Sequence, residues 1–251
     1  MKKPNQVMNK ENAIEVRNVS VIYKMASGNI FSLKEYIIRF FTGKLKFNKF
    51  HALNDVSFDV KKGDAVALIG ENGAGKSTLL KVISNIFKPN KGYAVLSGNV
   101  IPMLELGCGF DPDLTGKENI YLNGAILGFT KAFIKQHFDE IVEFSELGDF
   151  INQPLRTYSS GMIMRLGFAI ASVSKPKILI LDEILAVGDD RFQVKSRAKI
   201  EDLIKGGTTV LFVSHSVETV RSLCNKAIWL EKGSIKMQGD VYTVTEAYIH
   251  R

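Results

Sequence analysis

The chain has 251 residues, 45% of them hydrophobic and 24% charged, with a formal net charge of +7. That length and balance suit a globular protein with a sizeable core, and no apolar run approaches the roughly 18 residues a membrane-crossing helix needs. Cys108 and Cys224 match no metal-ligand spacing and are too few for a disulfide framework, which suits a reducing cytoplasm, and the polar start at Met1 carries no apolar secretory stretch.

Residues 1–12 are polar and expected to be loosely ordered, after which Ala13 to Val19 alternates as a half-exposed strand ending near Tyr23. Much of the basic excess lies just beyond it: Lys24, Lys34, Arg39, Lys44, Lys46 and Lys49 stand against the single acid Glu35. Within this segment Ile30, Leu33, Ile37, Phe40 and Phe41 recur at three- and four-residue spacing, predicting a short amphipathic helix closed by Gly43. Such a helix either packs on its own domain or lies against lipid headgroups or a membrane partner. The basic charge itself can face nucleic acid, an anionic membrane surface or water. Leu53, Val56, Phe58 and Val60 predict a second strand, and Lys61-Lys62-Gly63-Asp64 supplies turn chemistry for a hairpin into the strand Ala65 to Ile69.

At the end of that strand, Gly70-Glu71-Asn72-Gly73-Ala74-Gly75-Lys76-Ser77-Thr78 fits G-x-x-x-x-G-K-S/T without a misfit. The glycines let the backbone wrap closely around a polyphosphate so that successive N–H groups point inward at a helix N-terminus. Lys76 supplies a point charge for the β- and γ-phosphates, and Ser77 a hydroxyl for a Mg²⁺ ion bridging them. A helix is expected from Thr78 to Phe87, a break at Pro89-Asn90-Lys91-Gly92, and a strand from Tyr93 to Val100. An irregular glycine-rich stretch from Leu104 to Gly116 leads into helical runs at Glu118 to Leu127 and Lys131 to Leu147. Residues 105–172 therefore read as a mainly helical subdomain inserted between two halves of a nucleotide-binding core.

Ile178 to Leu181 is an apolar run ending at Asp182-Glu183, and Val210 to Val213 is another ending at Ser214-His215. Such runs between helical segments indicate a mainly parallel sheet with ligands at the carboxyl ends of its strands. Asp182 there can hold Mg²⁺ opposite Ser77, Glu183 can act as a base or orient the attacking water, and His215 can donate to the γ-phosphate or fix that water. A hairpin of Ala227 to Leu230 and Ser234 to Met237, then a helix from Val241 to Ile249, complete the chain.

With these residues placed, the sequence resembles the ATP-binding cassette family. Tyr158-Ser159-Ser160-Gly161-Met162, followed by Arg165, looks like a variant of that family's LSGGQ signature and lies between the phosphate loop and the Asp182 strand. Ile184-Leu185-Ala186-Val187-Gly188-Asp189 replaces the Pro-x-Ser-Ala-Leu-Asp of many importers. With Leu104 to Phe110 and Leu114 to Ile120, this variant looks like the polysaccharide-exporting branch that includes O-antigen and teichoic acid exporters.

The resemblance covers about residues 13–240 and implies an α/β P-loop cassette domain over 13–251, with a mainly parallel core sheet, an N-terminal antiparallel β subdomain, an inserted basic helix segment at 24–50 and the helical subdomain at 105–172. It implies an ATPase using ATP and Mg²⁺ on the cytoplasmic face of the bacterial inner membrane. Two copies form a head-to-tail dimer in which Ser159, Ser160, Gly161 and Met162 close over ATP held by the other copy, with Asp189 also at the site. Two membrane-spanning permease subunits, the membrane surface and the lipid-linked glycan are the implied partners, with no nucleic acid.

Three departures accompany it. Glu105 or Leu106 stands where the family has its Q-loop glutamine, the adenine-stacking aromatic would be Tyr23 despite the long insertion after it, and the sequence ends at Arg251 where many relatives continue into a carbohydrate-binding domain, implying a short type or a piece of a longer chain. The rival expectation is a soluble cassette ATPase acting on nucleic acid or ribosomes through the basic segment, against which stand the single cassette and the lack of a long coiled coil between the nucleotide motifs.

Overall fold

A computed structural model describes residues 8–26, 47–103, 106–182 and 189–251. In chain order, β1 (Asn12–Ala26) and β2 (Phe47–Lys61) are followed by β3 (Ala65–Ile69), α1 (Lys76–Ile83), β4 (Lys91–Leu96) and β5 (Val100–Met103). Next come α2 (Gly116–Ile126), α3 (Lys131–Ser145), two short 3-10 turns and α4 (Ser160–Ser172). The rest is β6 (Ile178–Asp182), α5 (Asp190–Lys205), β7 (Thr209–Val213), α6 (Val217–Leu223), β8 (Lys226–Glu231), β9 (Ser234–Asp240) and α7 (Val241–Ile249).

The larger sheet runs β5-β6-β7-β3-β8-β9 and is parallel except for β9, which turns back antiparallel on β8. Side chains of β3 alternate between two cores, as the period of a strand requires. Ala65, Ala67 and Ile69 pack with Phe168, Phe192 and Phe212, while Val66 and Leu68 pack with Leu79, Leu80 and the antiparallel sheet. Both faces are thus covered, which is why these strands read as unbroken apolar runs. Each fully buried Leu or Phe there contributes about 1.5–3 kcal/mol.

The smaller sheet has the order β2-β1-β4 and is antiparallel. Its existence corrects two expectations. Residues 61–64 do not make a hairpin, because β2 pairs with β1 while β3 pairs with β7 and β8. The turn carries the chain from one sheet to the other. Likewise the single strand expected from Tyr93 to Val100 is two strands in different sheets, separated at Gly98, whose φ of +122° turns the backbone between them. β1 and β2 also extend further than expected, so residues 24–26 and 47–50 of the presumed insertion are strand. The amphipathic helix expected at Ile30 to Phe41 lies outside the described residues.

The helices within 105–172 surround a third core that includes Ile120, Ile134, Ile141, Leu166 and Ile170. α2 starts at a reciprocal capping box, with the Thr115 hydroxyl accepting from the Glu118 N–H and the Glu118 carboxylate accepting from the Thr115 N–H. α3 stops where Glu146 adopts a left-handed conformation. α4 is buried continuously from Leu166 to Ser172, with Leu166 and Ile170 in the helical core and Phe168 and Ala171 against the large sheet. It therefore welds the helical layer to the sheet that carries the phosphate loop.

Candidate functional site

The loop between β3 and α1 has the geometry its glycines allow. Gly70, Gly73 and Gly75 adopt φ values of +152°, +80° and +102°. A Cβ at Gly70 would collide with the Leu230 carbonyl, and one at Gly75 with the Ala52 carbonyl and the Leu53 side chain. At Gly73 nothing lies nearby, so only its backbone conformation demands glycine.

α1 begins at Gly75 with no side-chain cap and no acid in its first turn. The other helices are capped by Thr115, Thr130, Ser159, Asp189, Ser216 and Asp240. The N–H groups opening α1 take no side-chain cap, and the helix dipole favours an anion there. Lys76 is buried, and its Nζ donates to the carbonyls of Gly70 at 2.7 Å and Glu71 at 2.9 Å.

Strand register brings the remaining groups together. Asp182 at the end of β6 is opposite Val213 of β7, and Val213 is opposite Leu68 of β3. The carboxyl ends of three neighbouring strands therefore meet at the loop. A cavity of about 340 Å³ opens there, walled on one side by Gly73, Gly75, Lys76, Ser77 and Thr78 and on the other by Asp182, Val213 and His215. Its residue types, amides and a lysine for phosphate and hard oxygens for a divalent cation, are those that hold a nucleotide polyphosphate.

β2 supplies Phe50 and Ala52 to the same cavity. The sequence pointed to Tyr23 and did not single out Phe50. In the structure the two are directly opposite each other across the β1–β2 ladder, but they do different things. Tyr23 is half-buried, its ring 5.7 Å from Phe87 and its hydroxyl 3.4 Å from Thr78 Oγ1. Phe50 is 48% exposed and walls the cavity. Nothing local marks it, because only the pairing of two strands separated by a long insertion puts it there.

Other singled-out residues are placed as follows. Glu71 and Ala74 face the opposite side of the loop, where with Asn72, Gly73 and the β8–β9 turn they enclose a second cavity of about 80 Å³; Asn72 and Gly73 line both. Ser159 and Ser160 are exposed at the start of α4, where Ser159 Oγ accepts from the Met162 N–H at 3.2 Å. Neither they nor Gly161 and Met162 wall the main cavity. Asp189 caps α5 by accepting from the Phe192 N–H, and it also accepts from Arg165. The Phe192 N–H, with the Arg165 charge adding to it against some burial, holds the Asp189 carboxyl below the ordinary aspartate value. Leu106 packs against the core beside Gly167 of α4. Glu183 and Glu105 lie outside the described residues.

Fold and cavity together define a P-loop nucleotide-binding protein of the cassette type. A family profile described as "ABC transporter" matches residues 53–186. Over 204 residues the chain is 50% identical to the O-antigen export system ATP-binding protein RfbB of Klebsiella pneumoniae, covering 81% of this chain and 83% of that one. It is 39% identical over 235 residues to the teichoic acids export ATP-binding protein TagH of Bacillus anthracis, covering 94% of this chain but only 42% of TagH. Among solved structures, a dimeric post-hydrolysis state of the ATP-binding cassette MJ0796 bound to ADP and Pi superposes with a TM-score of 0.71 at 22% identity, covering 91% of this chain and 98% of that one. The chain belongs to the ABC transporter family, and its class is that of the family's ATPase subunits.

Proposed function

We propose that this chain is the ATP-hydrolysing subunit of an exporter that carries a lipid-linked polysaccharide, of the O-antigen or teichoic acid kind, across the bacterial cytoplasmic membrane. The observation that carries the reading is the meeting of the phosphate loop, Asp182 and His215 in one cavity, in a chain that shares half its aligned residues with an O-antigen export ATP-binding protein. Similarity to ATP-binding proteins of O-antigen and teichoic acid export favours export over the nucleic-acid reading.

In this account the loop amides and Lys76 bind the β- and γ-phosphates, and Phe50 offers an aromatic face to the base. Ser77 Oγ and the Asp182 carboxylate, hard oxygens on facing walls, would hold Mg²⁺, which neutralises charge building on the phosphates. Glu183, next after Asp182, takes the proton of the attacking water or orients it, and His215 donates to the γ-phosphate. Preorganised charge of this sort is the main source of rate in phosphoryl transfer.

The cavity is walled by the phosphate loop, by Phe50 and Ala52 of β2 and by Asp182, Val213 and His215, and the exposed N-terminus of α4 is not part of its wall. A second copy presenting Ser159, Ser160, Gly161 and Met162 head-to-tail would close it, with the phosphate meeting a second helix N-terminus. Closure on ATP and reopening after hydrolysis would drive two permease subunits, with the chain lying peripherally on the cytoplasmic face of the membrane beside them. The test is ATP hydrolysis by the complex purified with its permease, with and without lipid-linked glycans. Stimulation that is lost in Lys76→Ala supports the reading, whereas recovery of the chain with RNA or DNA and without a permease overturns it.

A further inference from the structure

Glu71 is the single acid in the phosphate loop, and its side chain is 70% exposed. An unbalanced carboxylate on a loop built to receive an anion repels that anion. Arg251 stands against it, with Nη2 2.9 Å from Glu71 Oε1.

That arginine is held in place from behind. Its guanidinium lies over the Tyr248 ring, 4.2 Å from the centroid, and Tyr248 meets Trp229 edge-on at 5.4 Å. Trp229 is in turn opposite Ile69 in the β3–β8 ladder, one residue before the loop begins. The contacts therefore run in a closed circuit from the base of the loop, through β8 and α7, back to the loop's own acid. Stacking on an aromatic face removes much of the rotamer freedom that makes loose surface pairs weak.

We propose that Arg251 is a positioning residue for the nucleotide site: it neutralises Glu71 and draws the carboxylate to the outer side of the loop, away from the inner side where the loop amides and Lys76 meet the polyphosphate. The proposal rests on the reading of this loop as the ATP site. It gives α7, which touches nothing in the main cavity, a direct influence on nucleotide affinity.

The test is a mutant cycle on the whole chain, reading the dissociation constant of a fluorescent ATP analogue at fixed ionic strength. Arg251→Ala should weaken binding about two- to fivefold, the range an exposed ion pair supports. Glu71→Gln should tighten it, and the double variant should return close to the unmodified chain. The differences should shrink as salt is raised. Unchanged affinity in Arg251→Ala overturns the proposal, as does a double variant no better than Arg251→Ala, since that pattern means Arg251 only props up α7. If the unmodified chain fails to bind the analogue, the nucleotide reading falls first and this proposal with it.

Discussion

Arg165 Nη2 lies 2.6 Å from Asp189 Oδ2, tying the helix that opens with the serine-rich signature to the first turn of α5. The guanidinium also stacks over Phe192 at 5.1 Å and approaches Glu146, at the end of α3, to 3.7 Å. Lys195 of α5 reaches the same Glu146 at 2.9 Å. Two acids, Asp189 and Glu146, and two bases, Arg165 and Lys195, thus tie α3, α4 and α5 together beside the start of α5. In the proposed dimer this cluster would join the end of β6, where Asp182 stands, to the α4 N-terminus offered to the other nucleotide.

Arg165→Ala should therefore impair hydrolysis more than binding. We expect turnover to fall by about ten- to a hundredfold, up to the loss that a misplacement of about 1 Å at the reacting groups can cause. The affinity for ATP in the phosphate loop should stay close to that of the unmodified chain, and Arg165→Lys should recover part of the loss by restoring charge without the stacking. Equal losses of turnover and of nucleotide affinity would argue against a coupling role.

The loop glycines should fail for different reasons. Gly75→Ala drives a Cβ into the Ala52 carbonyl and Leu53, so the strand-to-helix junction must shift and both stability and ATP binding should be lost. Gly73→Ala meets no neighbour and carries only the left-handed strain of φ +80°, about 1–2 kcal/mol. Thermal melts of the two variants check this, and a Gly73→Ala chain less stable than Gly75→Ala would contradict it.

Phe50 and Tyr23 should separate in the same manner. Phe50→Ala should weaken ATP binding several-fold, because an aromatic face on a base is worth about 1–3 kcal/mol. Tyr23→Ala removes the contact with Phe87 and should lower the melting temperature with a smaller effect on affinity. Isothermal titration of both variants decides between them, and a larger affinity loss at Tyr23 would favour the assignment made from sequence.

The placement of Phe50 shows where the sequence is legible. The phosphate loop, the strands ending at Asp182 and Val213, and the hairpin of β8 and β9 are marked locally, by motif, by apolar runs buried on both faces, and by a Lys-Gly turn. Sheet membership is not marked locally. The Lys62-Gly63 turn looks the same whether it closes a hairpin or carries the chain between sheets, and only the pairing of β2 with β1 settles which it is. The same non-local pairing sets Phe50 opposite Tyr23, and the Arg165–Asp189 contact spans 24 residues with a strand between.

Acid should destabilise the fold through identifiable carboxylates. Burial works against the charge on Asp64, but hydrogen bonds from Lys226 at 2.7 Å and Asn225 at 2.9 Å outweigh it and hold the carboxyl below its ordinary 3.8. The Lys195 hydrogen bond holds Glu146 below its ordinary 4.5. Both values are lower in the folded chain, so the unfolded chain takes up more protons on acidification. Their stabilisation is complete above the ordinary values and is lost as pH falls through the folded ones. Melting temperatures should therefore drop steadily below about pH 4.5, and Asp64→Asn should flatten part of that drop while lowering stability at neutral pH. An unchanged acid slope in Asp64→Asn would remove Asp64 from the account.

The central claim is that one chain holds half of the ATP site, so the most direct measurement is sedimentation of the Glu183→Gln chain with and without ATP and Mg²⁺. The account predicts a monomer without nucleotide and a dimer with ATP that persists because hydrolysis is blocked, and it predicts that Ser159→Arg in the same background abolishes that dimer. A Glu183→Gln chain that binds ATP to saturation yet remains a monomer would contradict it.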